Sequence, residues 1–281
     1  MHALHDILAP AKLNLFLHIT GQRPDGYHLL QSVFMLIDWC DTLHVERRTD
    51  GQISREDLTL ALPEDDLVVR AARALQAASG THWGAHVAID KQIPAQAGMG
   101  GGSSDAASTL LALNRLWELN WPLSKLLPIG LSLGADVPFF LHGRNAWVQG
   151  IGEHITPIDL PPCRFAVLKP AAGLETAKIF RDPRLQRATE PATMLDFAAA
   201  PFDFGRNDLQ PAAQMLCPEI DQAIQWLNDA GLQARMTGSG SAVFAPMPHD
   251  VVFNTPPSGW RFRVCNNMTS HPLAGWVVSD K

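Results

Sequence analysis

Residues 94–107 read P-A-Q-A-G-M-G-G-G-S-S-D-A-A and open directly into a helical apolar pattern, and no other segment constrains this chain as much. Gly98, Gly100, Gly101 and Gly102 fall within five positions. Without Cβ atoms the backbone there can turn its N–H groups inward and approach an anion closely. Ser103, Ser104 and Asp105 follow with side chains that suit the capping of a helix start. The orphan N–H groups and positive dipole end of that helix add to the cradle, so a phosphate chain is the expected ligand. On this reading the nucleotide is held by Pro94, Ala95, Gln96, Ala97, Gly98, Met99, Gly100, Gly101, Gly102, Ser103 and Ser104.

Two other glycine motifs fit the segment poorly. A P-loop needs a lysine after its glycines, and none follows here. A dinucleotide fingerprint needs G-x-G-x-x-G; Gly98 and Gly100 match, but Ser103 holds the third place. A flexible linker is disfavoured because linkers rarely run straight into a long amphipathic helix.

At 281 residues the chain suits two domains, each large enough for its own core. We expect residues 1–155 to form an N-terminal ATP-binding domain and 156–281 a C-terminal substrate-binding domain. The boundary is set by the Gly- and Pro-rich stretch 150–162. With 22 Lys+Arg against 28 Asp+Glu the net charge is -6, which disfavours a nucleic-acid groove. No apolar run is long enough to span a membrane, and the first residues lack signal-peptide character, so a cytoplasmic protein is expected. Cys40, Cys163, Cys217 and Cys265 are too far apart for a metal knuckle and read as reduced, mostly buried thiols. His82 and His86 lack the glutamate of a zinc motif. Monomer or weak homodimer is the expected state.

Apolar and polar residues alternate from Ile7 to Ile19, which places Lys12 and Asn14 on one face of a strand. The turn-forming residues 21–26 and a second apolar stretch, 29–39, predict a strand connection. Helices are predicted over 66–79, 105–119, about 124–132 and 219–230, with Pro128 expected to distort the third. Strands are predicted at 164–168 and 242–245. Between the last helix and its strand lies a turn containing Gly238, Ser239 and Gly240.

Taken together, Ala11-Lys12-Leu13-Asn14-Leu15, the loop from Gly21 to His28, the glycine run, Gly134-Ala135-Asp136-Val137-Pro138 and Met236–Ser241 resemble the GHMP small-molecule kinases. The P-D-G-Y-H sequence at 24–28 resembles the branch that acts on cytidine-diphosphate-linked methylerythritol, a signature absent from homoserine, mevalonate and galactose kinases. The resemblance implies an α+β fold of two domains, the first like domain 2 of ribosomal protein S5 and the second ferredoxin-like, with the site in the cleft between them. It also implies ATP-dependent phosphorylation of the 2-hydroxyl of that substrate, in the non-mevalonate route to isoprenoid precursors. A different alcohol would be favoured had Tyr27 and His28 been replaced, and a silent nucleotide-binding regulator had Lys12 or Asp136 been lost.

Phosphoryl transfer depends on positioning and on stabilising charge that spreads over the transferred group's oxygens. Asp136 fits the base that takes the hydroxyl proton, a role worth roughly 10² to 10⁴ in rate. Lys12 fits the cation that pairs with Asp136 and steadies the hydroxyl or γ-phosphate. The resemblance assigns the same two residues to catalysis. Tyr27 is the chain's one tyrosine. Its ring can stack on a base while His28 bonds to the pyrimidine edge, the alternative being an ordinary surface turn. By resemblance His28 reads cytosine, Asn14 lies near the methylerythritol hydroxyls, and Phe180 covers the other face of the base with Thr176 nearby. Phe180 also reads as a plain core aromatic. Gly238 and Ser239 are expected to close the site from the C-terminal domain. Mg²⁺ should accompany ATP; Ser104 is the nearest hydroxyl to it by position, and no acidic ligand stands out. The proline-broken segment 246–260 looks shorter than the helix expected there.

Overall fold

The computed structural model describes residues 1–277. Its first two strands, β1 (Ala3–Gln22) and β2 (His28–Arg48), form a long antiparallel hairpin. β2 is also paired with β4 (Gly84–Asp90) through Thr42–Arg48 and with β5 (Ala146–Gly150) through Leu30–Phe34. Adding β3 (Ile53–Asp57), parallel to β4, and β6 (His154–Pro157) completes a six-stranded sheet ordered β3-β4-β2-β5-β6, with β1 beside β2.

Four helices accompany this sheet: α1 (Leu67–Ser79), α2 (Gly101–Leu116), α3 (Leu123–Leu133) and α4 (Val137–His142). α1 begins where the sequence predicts, because the Asp66 carboxylate accepts from Val69 N–H, and it ends on Gly80 in the left-handed region. α2 lies at the centre, packed on α1, β1 and α4, and is buried on nearly all sides. Leu110, Leu113, Phe139 and Phe140 are almost fully buried there. Each such side chain contributes about 1.5–3 kcal/mol relative to leaving it in water. α3 continues through Pro128, where a local distortion is expected.

The second sheet is antiparallel and ordered β10-β7-β9-β8, from β7 (Arg164–Lys169), β8 (Arg235–Met236), β9 (Val243–Met247) and β10 (Arg261–Asn266). Numbered within this half, the order is 4-1-3-2, that of a ferredoxin-like unit. α5 (Thr176–Phe180), α6 (Met194–Ala199), α7 (Gln210–Leu216) and α8 (Glu219–Asp229) lie between its first two strands. Residues 248–260, between β9 and β10, contain no helix, and the prolines there suit an irregular segment.

β1 joins the two halves. Ile7 and Ala9 lie in the core under the first sheet, Leu13 and Phe16 in a middle cluster with Phe165 and Phe244, and Leu17 and Ile19 in the core of the second sheet. Alternation predicted one buried face for β1; both faces are buried from Ala9 to Leu17 because different cores cover them.

Candidate active site

Two glycine loops meet at β1. The first runs from the end of β4 to α2; the second connects β8 to β9. Ser241 N–H donates to the Gln96 carbonyl at 3.1 Å and Ala242 N–H to that of Ala97 at 3.2 Å, fastening loop to loop. Lys12 N–H donates to the Met99 carbonyl at 2.9 Å. Asn14 N–H donates to Thr237 Oγ1 at 2.8 Å. Residues two apart on one strand therefore grip the loops of both halves. Asn207 secures the second loop by donating from Nδ2 to the carbonyls of Met236 and Gly238 at 2.9 and 2.8 Å.

Gly100, at φ 71°, precedes the first residue of α2. The helix thus begins four residues before the predicted start at Asp105. Ser103, Ser104 and Asp105 lie inside its first turns and do not cap it, since two left-handed glycines turn the chain earlier than capping residues alone suggest. The N–H groups of such a first turn have no partner within their helix and face outward from its end. This is the geometry of a phosphate cradle.

A cleft of about 1580 Å³ opens above these loops. Its walls include Lys12, Asn14, Tyr27 and His28, loop residues Pro94 to Ser103, then Asp136, Thr176, Phe180, Gly238 and Ser239. Ser104 is the predicted residue that does not reach it: its side chain is fully buried and its Oγ has no partner among the described residues. The early start of α2 rotates that hydroxyl beneath the wall. Among the described residues no three His, Cys, Asp or Glu side chains cluster as a metal cage. Ser104 therefore offers no hydroxyl to a magnesium ion in the cleft.

The Lys12 ammonium is buried, bonded to Asn14 Oδ1, 3.5 Å from Asp136 Oδ2 and 4.5 Å from the centroid of the Phe34 ring. The Asp136 side chain, at the entrance to α4, remains 32% exposed on the cleft side, so it can meet a substrate hydroxyl. Pro138 in the first turn of α4 suits that start.

Beside the cradle lies a charge cluster that the sequence did not reveal, two of whose members, Lys91 and Asp105, line the cleft. Lys91 is held between the buried carboxylates of Asp41 and Asp105, bonding to both, at 2.5 Å for Asp105. Burial, with Asp41 adding to it, pushes the Asp105 carboxyl well above its ordinary range even though Lys91 opposes the shift. Asp41 also accepts from Gln92 and Ile93 N–H at 2.6 and 2.8 Å, anchoring the chain that enters the glycine loop.

At the far end of the cleft the β1–β2 turn presents an exposed Tyr27 and a half-buried His28. The His28 and Phe180 ring centroids are 5.0 Å apart. Thr176 Oγ1 and Ser239 Oγ are 2.7 Å apart, linking α5 to the second glycine loop. Arg187 Nε donates to His28 Nε2 at 3.0 Å. Burial and, secondarily, the Arg187 charge lower the His28 pKa below its ordinary value. Sequence reasoning missed Arg187, Thr237 and Asn207, because each acts through a contact distant in the chain.

The family models for the GHMP kinases N terminal domain and the GHMP kinases C terminal match residues 66–144 and 190–252. The chain belongs to the GHMP kinase family. Within it, the chain is 66% identical to the 4-diphosphocytidyl-2-C-methyl-D-erythritol kinase of Paracidovorax citrulli, each covered over 100% of its length. It is 67% identical to the enzyme of that name from Albidiferax ferrireducens, covering 100% of this chain and 98% of that one. A crystal structure of 4-(cytidine 5'-diphospho)-2C-methyl-D-erythritol kinase superposes with a TM-score of 0.75 at 35% identity, over 86% of this chain and 89% of the other. Homoserine kinase from Cytophaga hutchinsonii shares the fold, with a TM-score of 0.67 at 15% identity over 96% of both chains.

Proposed function

We propose that this chain transfers the γ-phosphoryl group of ATP to the 2-hydroxyl of 4-(cytidine 5'-diphospho)-2-C-methyl-D-erythritol, a step of the non-mevalonate route to isoprenoid precursors. The observation that carries this reading is the Lys12–Asp136 pair, 3.5 Å apart in a cleft whose floor is the glycine cradle. In this reading the triphosphate lies along residues 94–103 with its charge against the first-turn N–H groups of α2. Asp136 accepts the hydroxyl proton as the substrate oxygen bonds to the γ-phosphorus. The bond from that phosphorus to the β,γ-bridging oxygen breaks, and ADP leaves with its electrons. Lys12, already turned toward Asp136, stabilises the oxygens between acceptor and donor. Magnesium is taken to arrive on the nucleotide, held by phosphate oxygens and water, where it would neutralise phosphate charge.

Asn14 faces the methylerythritol portion and Tyr27, His28 and Phe180 the cytosine, with Thr176, Gly238 and Ser239 between them. We assign nucleotide binding to residues 1–155 and the C-terminal wall to 156–281, of which 278–281 lie outside the described residues. No described helix is long and apolar enough to cross a membrane. We read the protein as cytoplasmic, without a nucleic-acid partner, and as a monomer or weak homodimer. A coupled ADP-release assay tests the reading. The cytidine substrate should support turnover, whereas homoserine, mevalonate and galactose should not; turnover with one of those alone would replace the proposed substrate.

A further inference from the structure

Arg187 is committed almost entirely to one local arrangement. Its Nη1 donates to the Leu185 carbonyl at 3.0 Å, and its Nη2 donates to those of Phe180 and Asp182 at 3.2 and 2.9 Å. These three carbonyls come from the end of α5 and the turn that follows it, so the guanidinium plane is fixed by backbone. The remaining Nε–H points at one partner, His28 Nε2, at 3.0 Å. Among the described residues no hydrogen bond is made to His28 Nδ1.

A guanidinium stays protonated in proteins and has no acceptor atom. The imidazole nitrogen facing it must therefore be the ring's acceptor, and a neutral imidazole with one acceptor carries its proton on the other nitrogen. Here the proton sits on Nδ1, and the Arg187 charge works against a second one. His28 lines the cleft, and its ring nitrogen not engaged by Arg187 is a hydrogen-bond donor and no acceptor.

We propose that Arg187 is the positioning residue for base specificity: by donating to His28 Nε2 it fixes the Nδ1–H tautomer, which pairs with N3 of cytosine and rejects uracil. Cytosine N3 is an acceptor, whereas uracil N3 carries a proton and would meet His28 N–H donor to donor. An unpaired donor buried against another donor loses its hydration without replacement. A pocket that hydrogen-bonds one base therefore discriminates strongly against its analogue. The backbone clamp on Arg187 makes the selection rigid, because Nε cannot swing aside without releasing carbonyls of the α5 turn. This inference rests on the cytidine reading of the site given above.

The tautomer is measured first, on the ligand-free protein labelled with ¹⁵N-histidine, with the His28 signals assigned by their loss in His28→Gln. A neutral ring protonated on Nδ1 is expected at neutral pH; a proton on Nε2, or a charged ring, would overturn the proposal. The second arm compares kcat/KM for the cytidine substrate and its uridine counterpart. Arg187→Met should lower the cytidine preference roughly 10-fold to 100-fold, through KM for the cytidine substrate with kcat little changed. Arg187→Lys, which keeps a donor, should restore most of the preference. An unchanged preference in Arg187→Met would also overturn it. Should the Met variant lose its fold, the wild-type tautomer and the Lys variant decide. Because the tautomer is read without substrate, failure of the chain to phosphorylate the cytidine compound would sink the substrate reading and leave the Arg187–His28 result standing.

Discussion

Gly98 and Gly238 are packed backbone to backbone, so that neither tolerates a side chain. A Cβ on Gly98 would lie 2.5 Å from the Thr237 carbonyl oxygen, and one on Gly238 would lie 2.6 Å from that of Gly98. Both residues have positive φ, 71° and 53°, which adds strain to any substitution. Since one glycine belongs to the loop before α2 and the other to the second sheet's loop, their contact sets how the two walls of the cleft meet. Gly98→Ala and Gly238→Ala should each raise the KM for ATP at least about tenfold and lower stability by about 1–3 kcal/mol. Steady-state kinetics with urea unfolding checks both; wild-type KM values would show that the walls do not depend on this contact.

Lys91 should matter for stability as well as for the cleft it lines. Lys91→Met leaves the buried carboxylates of Asp41 and Asp105 without their shared cation. Removing one partner of a buried ion cluster costs about 3–5 kcal/mol. Urea unfolding should show that loss, and Lys91→Met combined with Asp105→Asn should recover part of it.

His28→Ala should raise KM for the cytidine substrate about 10-fold to 100-fold while changing kcat much less, if His28 reads the base as proposed and stays clear of the reacting oxygens. An unchanged KM would remove His28 from base recognition.

Acid should destabilise the fold through His271. Its ring is buried with Nδ1 accepting from Leu273 N–H at 3.1 Å, and burial lowers its pKa to about 4. In the unfolded chain an imidazole takes its proton near pH 6.5, so between about 6.5 and 4 the unfolded state holds more protons. Stability is fully present above that window and falls as pH drops through it, by up to roughly 3 kcal/mol from this residue. His18, His28 and His142 are also lowered and add to the fall, while the raised Asp105 opposes it. Urea unfolding between pH 7.5 and 4.5 should give a flatter profile for His271→Asn than for the wild type.

Much of this architecture was legible in local pattern. The cap at Asp66 and stop at Gly80, and the strand face shared by Lys12 and Asn14, follow from side chains acting within a few residues. The start of α2 was misplaced because serine and aspartate suggest capping, whereas the left-handed conformations of Gly98 and Gly100 turn the chain sooner. Ser104 consequently went inside. Arg187, Lys91 and Asp41 escaped notice for a different reason: their partners are 159, 50 and 51 residues away, and no spacing rule reaches that far.

The central claim is that Asp136 takes the acceptor's proton while the glycine loops hold ATP independently of it, and Asp136→Asn tests this most directly. The substitution keeps the shape of the side chain and removes its basicity. Measured side by side, kcat with the cytidine substrate should fall by roughly 10² to 10⁴, and the Kd for ATP should stay within about threefold of the wild type. Near-normal turnover in that variant would contradict the account.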